Sequence, residues 1–430
     1  MDNFEKNQNY EYIRERMKKR PINRKKLMRR SIITAMMAVL FGAMACFTFL
    51  LLEPVISNFL YPESEPEQIE IPQEQDEMLP EDMLITEEHE VSQEIVNPGI
   101  TIKEELEVSD YENLYDKIYE VAKETAKGMV TVTGVSQDVD WFNNPYENAG
   151  QTSGVIIADS GKDYYILCDL STIKGAENLH VTFVDGSVHE AELKQQDKNT
   201  DLAVVTVAKH DIPSTTKEAV REVKLGSSRQ SSLLATQVIA LGHPYGSTGS
   251  VAYGMITSKN NMLNMTDCNY ELITTDIYGS EKANGILVNL SGEVVGIINQ
   301  NYNKVEVKNL ISAIGITDLK KTIERMSNGK ETTFLGIRGV DVTQEVNQTL
   351  GVPFGAYVTG IVMDSPAMEV GIQSGDIISQ INDEAVTSFS KYMEILMNLE
   401  PEETVELKVM RRGQDAYREL ELTVTLESYK

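Results

Sequence analysis

Few side chains in this chain are of a kind that does chemistry. Three cysteines, Cys46, Cys168 and Cys268, and five histidines, His89, His180, His189, His210 and His243, are scattered through 430 residues. No CxxC pair and no cluster of histidine and cysteine at ligand spacing occurs, so the sequence implies neither a disulfide framework nor a metal, and no cofactor. One stretch has the shape of a reactive loop. It is "TTDIYGSEKANGILVN", residues 274 to 289, and "LSGEVVGIINQ" follows it as strand, Ser-Gly turn and strand. A loop of that form could present a serine oxygen for attack on a carbonyl, with a base and an orienting carboxylate brought from elsewhere. Its centre carries no hydroxyl, and Ser280 lies near its start.

The elements that would have to position such a loop are mostly strands. "MVTVTGV", "TSGVIIADS", "YYILCDL", "HVTFVDG", "LAVVTV", "QVIALG", "GMITS", "GILVNL" and "EVVGIIN" are short apolar runs broken by Gly, Asp and Asn turns. This spacing predicts an all-β barrel or sandwich over about 128 to 315. Before it, "YENLYDKIYEVAKETAK" at 111 to 127 places Leu114, Ile118, Tyr119, Val121 and Ala122 at helical spacing. After it, "ITDLKKTIERMSNG" reads as a closing helix with Gly329 as its stop. From 331 to 428 the pattern resets into five strands and one helix, "SKYMEILMNL", a separate α+β module.

Charge divides the chain further. The net charge is −27, but residues 1–30 hold eleven Lys/Arg against four Asp/Glu, whereas 53–110 hold eighteen acids against one lysine. Between them "SIITAMMAVLFGAMACFTFLLL", residues 31–52, has no formal charge. It is long enough for a transmembrane helix, which needs about 20 residues. The basic block before it should stay in the cytoplasm and the rest lie outside. A cleaved leader ending at "AMA", 43–45, is the competing reading. The acidic, proline-punctuated 53–110 has too little apolar surface to fold alone and reads as a disordered stalk. The acidic balance of the remainder argues against nucleic acid as a partner.

Taken in order, the segments resemble the HtrA/DegP serine proteases, in which a trypsin-like double β-barrel precedes a PDZ domain. "TSGVIIADSGKDYYIL" is similar to that family's "GSGVII…GYIL", and "TDLAVV" is nearly unaltered. "VIALGHPYGSTGSVAYGMITS" resembles "VIAIGNPFG…TSGIVS", and "GAYVTGIVMDSPAMEVGIQSGDIISQINDEAV" is a close fit to the PDZ pattern. The resemblance implies five regions. These are a basic cytoplasmic tail (1–30), a membrane anchor (31–52), an acidic stalk (53–110), a mostly β protease-fold domain (111–328) and an α+β PDZ domain (331–428).

The resemblance also identifies where the catalytic groups should lie. Ser171 stands in the place of the histidine in "CDLSTI", and His180 is nine residues further on. The aspartate is kept as Asp201, which without an imidazole to orient is expected only to order its turn. Counting back from "LVN" puts Ala283 at the nucleophile, and counting forward from "TTD" puts Asn284 there. Neither supplies a hydroxyl, and two glycines of the oxyanion loop are replaced. With base and nucleophile absent, the expectation is a degenerate, inactive protease. A non-standard nucleophile, Ser280 or Ser171, is the alternative. In the PDZ domain "FLGI", Phe334, Leu335, Gly336 and Ile337, resembles the loop whose N–H groups receive a peptide's C-terminal carboxylate. Leu335 and Ile337 are expected to line the pocket for the terminal side chain, and either Tyr392 and Leu396 or Met393 and Met397 to face the groove. The resemblance implies as partners peptides or unfolded proteins with free C-termini, the lipid bilayer through one helix, and a homotrimer or association with an active relative. Its implied location is a bacterial cell membrane, in a role of envelope protein quality control or signalling.

Overall fold

The computed structural model describes residues 107–139, 145–303, 307–414 and 416–429, together with 68–73 and a few residues between 28 and 44. The chain divides into two units, Met1–Glu67 and Gln68–Lys430. Among the described residues no helix is long and apolar enough to cross a membrane. Most of the predicted span 31–52 lies outside the described residues.

The second unit opens with α1, Val108–Thr125, which buries Ile118 and Ala122. Leu114 and Tyr119 of the predicted apolar stripe are instead exposed. Six strands follow: β1 (Met129–Val139), β2 (Pro145–Asp159), β3 (Asp163–Asp169), β4 (Asn178–Thr182), β5 (Val188–Asp197) and β6 (Leu202–Ala208). They close into a barrel in the order β1-β2-β3-β6-β5-β4. A four-residue helix, α2 (Leu170–Ile173), sits at the end of β3.

The second sheet uses β7 (Lys224–Leu225), β8 (Gln237–Gly242), β9 (Ser250–Asn264), β10 (Asn269–Tyr278), β11 (Asn284–Val288), β12 (Glu293–Asn299) and β13 (Leu310–Gly315). Its order is β11-β8-β9-β10-β13-β12, with β11 also paired to β12, so this ring closes too, and β7 joins its margin. Helix α3, Ile316–Ser327, then packs Leu319, Ile323 and Met326 into the core between the barrels.

The continuous apolar runs are explained by two covered faces. Side chains alternate across a strand, so a strand with core on both sides is apolar at every position. Along β6, Leu202 and Val204 enter the core between the barrels. Ala203, Val205 and Val207 fill the first barrel. Along β8, Ile239 and Leu241 face the shared core, and Val238 and Ala240 fill the second barrel. The shared core therefore fixes how the ends of β3, β6, β8 and β11 meet.

Within the acidic stretch, 68–73 lie along α3. Ile69 exchanges two hydrogen bonds with the Asn328 side chain, at 2.9 and 2.8 Å. Ile71 is buried in the shared core.

Residues after 331 form the α+β module. Strand β14 (Thr333–Phe334) pairs with β21 (Glu427–Ser428), and the main sheet runs β15 (Ile337–Asp341), β16 (Ala356–Ile361), β17 (Ile377–Ile381), β19 (Thr404–Arg412) and β20 (Tyr417–Thr425), with β18 (Glu384–Ala385) paired to β17. Helix α4, Phe389–Asn398, covers it with Phe389, Tyr392, Ile395 and Leu396 buried. On the adjoining face of α4, Met393 packs against the shared core of the barrels.

Candidate functional site

The three positions expected from the resemblance lie next to the ends of β3, β6 and β11. Ser171 is the second residue of α2, is exposed, and donates its hydroxyl to Asp169. Asp201 immediately precedes β6 with φ +55°, and its carbonyl accepts the Leu170 N–H at 2.7 Å. Its carboxylate accepts from Asn301 at 3.4 Å. Burial, and then the charge of Asp169, push the Asp201 carboxyl above its ordinary value. Asp201 thus has no bond to Ser171.

Around the remaining position, residues 280–283 form a tight turn. Ala283 donates its N–H to Ser280 O at 3.0 Å. Its methyl group is buried among the apolar side chains of the second barrel. Asn284 uses its side chain structurally, accepting the Ser153 N–H at 2.9 Å and donating to Lys282 O at 3.2 Å. Ser280 accepts from Lys282 N through its hydroxyl at 3.2 Å, and its own N–H donates to Pro244 O at 2.8 Å. The cleft bounded by Ser153, Cys168, Asp169, Leu202, Asn284 and Gly285 holds about 20 Å³. That volume suits about one water.

A serine and a histidine do meet here, though not the expected ones. Ser153 Oγ of β2 is hydrogen-bonded to His243 Nδ1, and His243 Nε2 lies 3.0 Å from Thr248 Oγ1. Both Ser153 and His243 are buried, and desolvation lowers the affinity of His243 for a proton. Ser153 also lines a larger cavity of about 340 Å³ together with Met129, Phe183, Leu241 and Val251. Among the described residues no group of three metal-ligating side chains converges. Cys168 and Cys268 are free and buried, and burial raises both thiols.

The PDZ loop is built differently. Phe334 is paired with Glu427 at the module's edge, and Ile337 begins β15. Between them Gly336 takes φ +92°, where an added Cβ would lie 2.2 Å from Ser365 Cβ. This left-handed residue turns successive N–H groups to one side, which a residue with a Cβ resists. The N–H groups of Leu335, Gly336 and Ile337 converge on one carboxylate, at 2.9, 2.7 and 2.9 Å. The Tyr392 hydroxyl of α4 donates to the same group at 2.6 Å. That carboxylate belongs to Asp267, in the tip of the β9–β10 hairpin.

The tip, Met265–Cys268, is closed by Met265 N–H to Cys268 O at 2.9 Å, with Asp267 at φ +56°. Hairpin tips normally face water. Here Thr266, Asp267 and Cys268 are all buried, so their polar groups need protein partners. Asn199 supplies one, donating to Thr266 O at 2.9 Å. Asp267 also donates its N–H to Ile337 O at 2.8 Å, and Asn269 donates its side-chain N–H to Gly339 O at 3.1 Å. Burial pushes the Asp267 carboxyl up from its ordinary value, and its four donors pull it back.

Comparison with known proteins agrees with both halves of this geometry. The trypsin-like peptidase domain family matches residues 152–297, and the PDZ domain family matches 333–424. The chain is HtrA/DegP-like, a trypsin-like peptidase fold joined to a PDZ domain. It is 30% identical over 278 residues to a probable periplasmic serine endoprotease DegP-like of Halomonas elongata, covering 63% of this chain and 56% of that protein. It is 29% identical over 329 residues to the serine protease Do-like HtrB of Bacillus subtilis, covering 69% of each. The HtrA-like chain thus spans little more than half the length of the Halomonas relative. Among solved structures it shares the fold of the HtrA-type protease AlgW with decapeptide. That alignment has 21% identity and a TM-score of 0.52, and covers 73% of this chain and 99% of that one.

In the PDZ half of this HtrA-like chain the alternatives on α4 point different ways. Tyr392 and Leu396 face the module and Met393 faces the barrels. Leu335 and Ile337 contribute N–H groups to the loop, but their side chains are fully buried in the module's core. Sequence reasoning missed Asp267, because nothing in "NMTDCNY" distinguishes it from an ordinary turn aspartate. It also passed over His243, although the departure of "ALGHP" from the family's "AIGNP" marked the position.

Proposed function

We propose that this chain is a membrane-anchored HtrA-like protein that binds peptide C-termini or unfolded segments outside the bacterial cytoplasmic membrane and does not hydrolyse them. The observation that carries this reading is the contrast between two donor sets. The PDZ loop aims three consecutive N–H groups at a carboxylate. At the barrel mouth the Ala283 N–H, which would serve an oxyanion in an active relative, is engaged by Ser280 O. Loss of base and nucleophile costs on the order of 10⁴ to 10⁶ in turnover. A missing oxyanion donor adds to that loss.

The anchor is the uncharged stretch 31–52, supported by the basic block before it. Placement outside the membrane is supported by the word periplasmic in the name of the Halomonas relative. Capture of C-termini is supported by the donor set and by the decapeptide that accompanies AlgW in its structure. Envelope protein quality control or signalling is the role that joins these features. A homotrimer, or association with an active relative, belongs to the same proposal.

A second reading is favoured by one contact, the Ser153–His243 hydrogen bond beside the 340 Å³ cavity. In that reading Ser153 is the non-standard nucleophile of a peptidase. Among the described residues no carboxylate bonds His243, whose ring partners are Ser153 and Thr248. The deciding experiment treats the purified chain with a fluorophosphonate probe and follows casein degradation. No labelling and no turnover are expected. Labelling that disappears in Ser153→Ala, together with turnover, replaces the first reading with the second.

A further inference from the structure

We infer that Asp267 is a resident ligand of the PDZ loop, so that a peptide's C-terminal carboxylate enters only by displacing it. The inference rests on the reading of that loop as a peptide site and concerns how the site is regulated.

Three observations carry it. First, the contacts reproduce those an incoming terminus would need. A terminal carboxylate offers two oxygens to loop N–H groups, and the peptide then extends as an added strand. Asp267 offers Oδ2 to Leu335 and Gly336 and Oδ1 to Ile337, while its N–H bonds Ile337 O. Two residues on, the Asn269 side-chain N–H bonds Gly339 O. Alternate carbonyls along the free edge of β15 are therefore already engaged, in the spacing an added strand would use.

Second, the donor set is complete around one carboxylate. Three N–H groups and the Tyr392 hydroxyl converge on it, and Asp267 is buried. A second carboxylate has no place there while the first remains. Yet removing Asp267 without a substitute would leave these donors unpaired, which is costly for buried groups. Exchange for another carboxylate avoids that cost.

Third, the occupant is tethered but locally unfavourable. Asp267 holds φ +56°, a left-handed conformation that a residue with a Cβ adopts less readily than glycine. It sits on a four-residue hairpin tip outside the β9–β10 pairing, which starts at Asn264 and Asn269. Withdrawal must also part Met393 from the barrels, so opening of the groove and separation of the PDZ module from the hairpin are one event.

An internal ligand lowers apparent affinity by the fraction of molecules in which the site is free. The test uses the full chain in detergent and a fluorescein-labelled library of decapeptides with free C-termini, with amidated copies as controls. Asp267→Gly removes the carboxylate and suits the left-handed backbone. Asp267→Asn keeps one oxygen and removes the charge. The expected result is binding of free-acid peptides at least about tenfold tighter to Asp267→Gly than to the native chain. Asp267→Asn is expected between the two, and amidated peptides should bind to none. Hydrogen exchange at the amides of Leu335, Gly336 and Ile337 should accelerate in peptide-free Asp267→Gly. Equal affinity for native chain and variants would overturn the inference and leave the peptide-site reading standing. If exchange accelerates but no free-acid peptide binds any variant, the loop is an interdomain latch, and both the inference and the reading of the loop fall.

Discussion

The barrel mouth and the PDZ loop both hold backbone N–H groups near a place where an anionic oxygen could sit, and they have opposite fates. At the barrel mouth Glu281, Lys282 and Asn284 stand where the resemblance implies Gly, Asn and Gly. The segment folds on itself, with Ala283 N–H bonded to Ser280 O. At the PDZ loop Gly336 keeps its left-handed backbone and three N–H groups remain aimed outward, onto Asp267. The difference teaches that an anion site is preserved by backbone torsions before it is preserved by side chains. Once residues with a Cβ replace the glycines, the chain pairs its donors locally.

The comparison is open to challenge by substitutions on each side. The largest effect is expected from Gly285→Ala, the glycine retained at the barrel mouth. It takes φ +127°, and an added Cβ would lie 2.0 Å from Leu241 O. Strain and backbone collision together should lower stability by more than about 3 kcal/mol in urea denaturation. A neutral result would mean that the barrel mouth is loose, and would weaken the claim that its turn is locked.

A smaller loss is expected from Tyr392→Phe, which removes one of four donors to Asp267. A hydrogen bond to a charged group contributes about 1.5–3 kcal/mol. The denaturation free energy should fall within that range, while the three loop amides stay protected from exchange. Loss of amide protection would show that the Tyr392 hydroxyl, and not the loop, holds the carboxylate.

A smaller effect still concerns His243, whose affinity for a proton is lowered by burial. Its folded-state affinity for a proton is depressed, so the unfolded chain binds more protons near the ordinary histidine value of about 6.5. The stability it contributes is present above that pH and is lost as pH falls below it. The stability difference between the native chain and His243→Gln should therefore shift against the native chain on acidification. A pH-independent difference would mean that burial does not lower the affinity of His243 for a proton.

No gain of casein turnover is expected from placing the family's side chains at the two aligned positions, Ser171→His with Ala283→Ser. Ala283 N–H would still be engaged by Ser280 O. Casein turnover by that double variant would show that side chains alone separated this site from activity.

Much of this architecture is legible in residue order. Apolar runs such as "LAVVTV" and "QVIALG" announce strands covered on both faces, and the shared core between the barrels confirms why polar alternation is absent. The positions of Ser171, Asp201 and Ala283 follow from motif order, since the ends of β3, β6 and β11 meet wherever two such barrels pack. Asp267 and the Ser153–His243 contact were not legible in the same way. Ser153 and His243 are ninety residues apart, and Asp267 meets Leu335 from sixty-eight residues away. Neither pair shares an element or a periodic pattern.

By itself the sequence determined the strand pattern, the charge blocks, the absence of a hydroxyl at the centre of the 274–289 loop, and the glycine that keeps the PDZ loop open. Those depend on residue type and local spacing, which set backbone torsions and the alternation of side chains. Only the tertiary structure decided what each donor set binds. Hydrogen bonds are directional and reach about 3 Å, so the partner of Gly336 N–H depends on which distant segment the two packed domains bring there. That segment is a hairpin tip whose single aspartate fills the site the PDZ loop was expected to offer to a peptide.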